Sequence, residues 1–160
     1  MLPYRDNIVH SKQAYMKKYF FLISSGLLLL TLYSCEKNTS DGPTTEFTFD
    51  TGLYGTNEVP SNKSTAVGSV VAKYDSLSKI LTVTVAYTGL SPIAGHIHKA
   101  AAGTNGSVLF PFPAVSVSPF TYSTAALTAA QQADLFASLY YVNLHTTALP
   151  GGEIRGQLIK

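Results

Sequence analysis

Residues 80–88 read Ile80-Leu81-Thr82-Val83-Thr84-Val85-Ala86-Tyr87-Thr88. Leu81, Val83, Val85 and Tyr87 fall on one side of an extended chain, and Thr82, Thr84, Ala86 and Thr88 on the other. Successive side chains of a strand point to opposite faces, so this strict period of two, rich in β-branched residues, predicts a half-buried strand. Immediately upstream, Val70, Ala72 and Tyr74 share a face, with Ser69 and Lys73 opposite. Asp75-Ser76-Leu77-Ser78 separates the two runs with turn-forming residues, which predicts a hairpin of 66–74 with 79–88. Earlier still, Phe47, Phe49, Thr51 and Leu53 alternate with Glu46, Thr48 and Asp50.

Downstream of residue 88 the extended segments are shorter: 94–99, 107–110, part of 114–122, then 140–146 and 153–159. Pro111, Pro113 and Pro119 lack a backbone N–H and confine their stretches to sheet edges or loops. One helix is expected over 129–138, with Thr128 as its cap and Gln131 three residues on. About seven or eight strands with turn signals between them predict an all-β fold, an antiparallel sandwich or barrel.

The composition agrees. Hydrophobic residues make up 46% of the 160 and charged residues 12%, too apolar and too weakly charged for a disordered chain. The formal charge of +2 is misleading, because Arg5, Lys12, Lys17 and Lys18 stand at the N-terminus with only Asp6 against them. From Cys35 onward seven basic residues face eight acidic ones. A near-neutral domain lacks the clustered basic face of a nucleic-acid binder.

The N-terminal charge has its own explanation. Lys17-Lys18 precedes an uncharged, mostly apolar run of 16 residues, Tyr19 to Ser34, that stops at Cys35, the one cysteine of the chain. A positive segment, an apolar segment shorter than a membrane span and a small residue before a cut make a signal peptide, expected over 1–34. Met16-Lys17-Lys18 has the form of such a start by itself, which makes Met16 an alternative initiator. Leu32-Tyr33-Ser34-Cys35 resembles a bacterial lipobox. That resemblance implies removal of the preceding peptide, acylation (palmitate) of Cys35 and a lipid-anchored membrane protein of the cell envelope, facing the periplasm or outer membrane. Residues 35–45, polar and holding Gly42-Pro43, read as a flexible tether. The domain itself is then 46–160.

Two chemically distinctive segments lie in that domain. One is Ala94-Gly95-His96-Ile97-His98; the other is Tyr141-Val142-Asn143-Leu144-His145-Thr146, followed by Gly151-Gly152-Glu153-Ile154-Arg155-Gly156-Gln157-Leu158. Positions i and i+2 of a strand share a face, so His96 pairs with His98, Asn143 with His145, and Glu153 with Arg155. Pro150-Gly151 should reverse the chain. If Thr146 meets Gly152, His145 lies opposite Glu153, Asn143 opposite Arg155, and Leu144 faces Ile154 on the apolar side.

Together with Asn57-Glu58-Val59-Pro60 and Gly89-Leu90, these segments resemble the CHRD (chordin-type) domain in sequence and order, over about residues 46–160. Leu144 stands where the family often has Val, and Lys99 where Gly is common. The resemblance implies an immunoglobulin-like or superoxide-dismutase-like sandwich in an extracytoplasmic protein, with no established catalytic activity. Its motifs fall here on His96, His98, Asn143, His145, Glu153 and Arg155. His96-Ile97-His98 is also similar to the His-x-His of copper-zinc superoxide dismutases, a family that needs more histidines than the three of this domain.

Three readings of these polar residues follow. They form a hydrogen-bonded scaffold; or His96, His98 and His145 ligate zinc or copper, with Glu153 ligating or orienting; or they serve hydrolytic or redox catalysis, since acid–base work needs only a His and a carboxylate in a cleft. The chain has no G-x-S-x-G and no H-E-x-x-H, which speaks against an enzyme. The expected function is a non-enzymatic binding or structural module without cofactor, with an extracytoplasmic protein or glycan as ligand. The alternative is a metal-binding protein using the three histidines.

Overall fold

The Asp75 carboxylate makes the first turn. It accepts the N–H of Leu77 at 2.9 Å and the Ser78 hydroxyl at 2.8 Å, and Lys79 takes a positive φ of 62° to complete the reversal. This fixes the expected hairpin: β2 (Val67–Asp75) and β3 (Ile80–Thr88) pair antiparallel, with Val70 opposite Val85 and Ala72 opposite Val83. These residues come from a computed structural model that describes residues 45–160. The expected signal peptide, Cys35, the alternative start at Met16 and all of the expected tether except Thr45 lie outside the described residues.

On its other side β2 pairs with β1 (Glu46–Tyr54), and β3 pairs with the short β6 (Phe120–Ser123). Of the 114–122 stretch only 120–122 joins a strand, which runs on to Ser123; Pro113 and Pro119 precede it, and each lacks a ladder donor. β4 (Ala94–Lys99) lies between β5 (Ser107–Pro111) and β7 (Tyr140–His145), and β7 pairs in turn with β8 (Ile154–Gln157).

The order is β5-β4-β7-β8-β1-β2-β3-β6, so the fold is all-β and antiparallel. Both layers of the expected sandwich belong to one eight-stranded sheet. Its β8–β1 seam is thin, with the pair Tyr54–Arg155 and a bridge from Asp50 to Ile159. Here the backbones come close: a Cβ on Gly156 would collide with the Gly52 carbonyl, so a side chain at 156 would open the seam.

Curling at the seam lets both halves share one core. Phe49, Val70, Val83 and Val85 from one half join Ile97, Val142, Leu144 and Ile154 from the other. Helix α1 (Ala129–Phe136) closes one end. Thr128 caps it as expected: its hydroxyl accepts the Gln131 N–H, and the Gln131 side chain accepts the Thr128 N–H. Lys99 of β4 reaches Asp134 of this helix at 2.6 Å.

Candidate functional site

The ladders decide which polar residues meet. β4 sets His96 opposite Asn143 and His98 opposite Tyr141 on β7. β7 sets Asn143 opposite Arg155 and Leu144 opposite Ile154 on β8, the register expected from the Pro150-Gly151 reversal. Across three neighbouring strands, one face therefore carries His96, His98, Tyr141, Asn143, His145, Arg155 and Gln157. The opposite face carries Ile97, Val142, Leu144 and Ile154, all fully buried.

The polar face is buried too. Tyr140 to Leu144 are buried without interruption, although a sheet with one wet face would alternate. Two loops fold over this side and are tied to it by asparagines. Asn57 donates to the Arg155 carbonyl, Asn62 to the carbonyls of Gly152 and Glu153, and Asn105 to that of Val59 in the facing loop.

Beneath them runs a stack. The His98 ring lies parallel to Tyr141, centroids 4.8 Å apart and 4° between planes, while the Arg155 guanidinium sits 3.4 Å from the Tyr141 centroid. β7 lies between β4 and β8, so its tyrosine packs against partners from both neighbouring strands. Arg155, only 2% exposed, donates to the Thr104 carbonyl at 2.6 Å and to Asn105 Oδ1 at 3.1 Å. A cation over an aromatic face with charge-assisted hydrogen bonds is a satisfied way to bury an arginine. Gly106 clamps the other end: its N–H donates to the Tyr141 hydroxyl, and its carbonyl accepts His98 Nδ1–H at 3.0 Å.

That last bond fixes the His98 tautomer. With Nδ1 carrying the proton, Nε2 presents a lone pair, and it is buried with no partner. His145 is held in the same way, because its Nδ1–H donates to the Pro150 carbonyl at 2.9 Å and leaves Nε2 as a lone pair. This Nε2 lies 3.1 Å from His96 Nδ1. One nitrogen from each of the three rings falls within 4.8 Å of the others. A tetrahedral zinc with Zn–N of about 2.0–2.1 Å needs nitrogens about 3.3 Å apart, so the His96–His145 edge, at 3.1 Å, is close to that length and His98 has to close inward. The β4–β5 ladder slips between Ile97 and His98, and such bulges re-aim side chains beside sites.

Burial pushes the pKa of His96 down, and the neighbouring His145 and His98 push the same way. Burial also lowers that of His98, against the opposing bond to Gly106. Neutral rings are the ligand form. His96 and His145 are partly exposed, which leaves the cluster open to solvent on one side.

Of the residues singled out in the sequence, His96, His98, His145 and Asn143 converge. Arg155 joins through Tyr141. Glu153 does not join: its carboxylate accepts the Ser64 hydroxyl at 2.7 Å and the Thr146 hydroxyl at 2.6 Å, and so pins the loop before β2 to the final reversal. The carboxyl group at the cluster is that of Glu58, 6% exposed, brought in by the 3-10 turn Gly55–Asn57. Burial raises its pKa, while the Arg155 charge and hydrogen bonds from Val59 and Asn143 draw it back. It packs against Gly152, whose φ of +132° and lack of a Cβ make room for it. Sequence reasoning quoted Glu58 but gave it no role; Tyr141 was visible as the residue two before Asn143 on the same face.

The sequence model of the CHRD domain matches residues 49–158 of the chain. No curated protein and no solved structure matches it.

Proposed function

The chain belongs to the CHRD domain family, and from that premise we propose that it is a non-enzymatic binding module, anchored to the cell envelope through an acylated Cys35, whose binding centre is His96, His98 and His145 and whose ligand is zinc or copper. Family membership supports a binding or structural module. The observation that favours metal is the pair of backbone carbonyls, Gly106 and Pro150, that hold Nδ1–H of His98 and His145. Ligating histidines characteristically donate their second ring N–H to such a partner, which fixes the tautomer and aims the other lone pair at the ion. Three imidazoles without a thiolate suit borderline divalent ions, copper(II) binding more tightly than zinc. Glu153 then serves the fold, and a protein or glycan ligand would engage surfaces outside this cluster.

The full chain, purified without a histidine tag, should carry or take up one zinc or copper per molecule by elemental analysis and calorimetric titration. Failure of zinc, copper and cobalt all to bind overturns the reading. The anchor is tested separately. Cys35→Ser should leave an unprocessed precursor in cell fractionation, because its acceptor thiol is gone, and normal processing of that variant refutes acylation.

A further inference from the structure

Three imidazoles leave a fourth corner, and one buried side chain reaches it. Asn143 is 3% exposed and lies opposite His96 in the β4–β7 ladder. Its Oδ1 stands 3.0 Å from His145 Nε2. The proton of that ring is already committed at Nδ1 to Pro150, so oxygen and nitrogen face each other as two acceptors. His96 Nδ1–H can donate to His145 Nε2, but the Asn143 oxygen still faces that lone pair, and a cation between them, a proton or a metal ion, reconciles the contact while the amide keeps this orientation. Turning the amide over would aim Oδ1 at the carboxyl group of Glu58. Glu58 itself buries Oε1 without a partner and favours an N–H there.

Resting on the three-histidine reading, we infer that Asn143 Oδ1 is the fourth ligand of the metal centre, and that Glu58 is the positioning residue that keeps this oxygen turned inward. The shell is then three imidazole nitrogens and one amide oxygen, a neutral donor set that leaves the ion its full double charge.

Cobalt(II), whose visible spectrum reports coordination, is the probe, with zinc as competitor. Asn143→Leu should lower cobalt affinity on the order of 10- to 100-fold, the range that follows loss of a group supporting a metal centre, and should alter the cobalt spectrum. Asn143→Asp keeps the shape, adds a negative charge and should bind more tightly than the parent. A buried asparagine is a risky substitution, so the parent carries an independent measurement: zinc should shift the Asn143 side-chain carbon and amide resonances by NMR. Glu58→Gln, which still accepts from Asn143, should bind like the parent, whereas Glu58→Leu should bind more weakly. Unmoved Asn143 resonances, or an Asn143→Leu variant with parental affinity and spectrum, would overturn the assignment while leaving the three histidines intact. No cobalt binding by the parent would remove both.

Discussion

Zinc should raise the melting temperature of the parent by about 10 °C, and His98→Ala should remove most of that gain. At a free concentration 100 times its Kd, a ligand of the native state alone contributes about 2.7 kcal/mol. The described domain of roughly 115 residues has an unfolding entropy of about 0.24 kcal/mol/K, which converts that energy into about 11 °C. In the metal-free protein, His98→Ala deletes the bond to Gly106 and the stack on Tyr141. Those are worth about 1–2 kcal/mol together, or roughly 4–8 °C. His98 Nε2 has no partner to lose, so the apo cost stays at that level and does not reach that of a broken buried network. The assay is calorimetric or circular-dichroism melting at pH 7.5, with and without zinc, and with magnesium as the control for ionic effects. An equal zinc shift in parent and variant would refute the role given to His98. A large apo loss with no zinc shift in the parent would return the cluster to a scaffold.

Acid should destabilise the metal-free domain. The folded pKa values of His96 and His98 lie below the ordinary 6.5, so their contribution is fully present above pH 6.5 and is lost as the pH falls through the folded values. Glu58 acts with the opposite sign: its folded pKa lies above 4.5, so its contribution is complete below that pH and is lost on the way up. Melting between pH 8 and 5 in a Glu58→Gln background should therefore isolate a fall on acidification, and a rise would contradict the burial of the rings. On the apolar side, Leu144 is fully buried, and its Cδ2 fills the space where Gly95 lacks a Cβ. Leu144→Ala should cost about 2–5 kcal/mol in urea unfolding, and a loss under about half a kilocalorie would mean that the hairpin face is misassigned.

The C-terminal hairpin was the most legible part of the chain. Its reversal lies at Pro150-Gly151, and period two then determines every facing pair, so Asn143–Arg155 and Leu144–Ile154 followed from counting. The same arithmetic placed Glu153 opposite His145 but could not say where its carboxylate points. Two hydroxyls from distant segments, Ser64 and Thr146, settle that. Periodicity assigned β7 an apolar face and a polar face, without telling whether the polar one is covered. The loops around Asn57 and Asn105 cover that face, and loop closure between segments about 50 residues apart leaves no periodic signal. Glu58 arrives by the same route, from a turn with no strand pattern. That the two layers of the sandwich belong to one continuous sheet has a related cause: pairing across the β8–β1 seam accompanies the close approach of Gly52 and Gly156, which strand propensity does not record.

Scaffold and binding centre differ in how completely the buried polar groups satisfy one another. In a scaffold each donor meets an acceptor, because an unmet buried group costs about 1–3 kcal/mol. Much of this face behaves that way: Arg155, Gln157 and Glu153 each make two hydrogen bonds. The exceptions are concentrated. Among the described residues, three buried side-chain polar atoms lack a partner, and two of them, His98 Nε2 and Glu58 Oε1, belong to this cluster. The contact between His145 Nε2 and Asn143 Oδ1 adds a third mismatch at the same place. What these atoms share is sign: all are acceptors, and of the nearby donors those of Arg155, His98 and His145 are engaged with the carbonyls of Thr104, Gly106 and Pro150, which leaves only His96 Nδ1–H facing His145 Nε2. A shortage of donors around one point is a shortage of positive charge there, and a divalent cation supplies it with a single ion where protons would have to be added one by one.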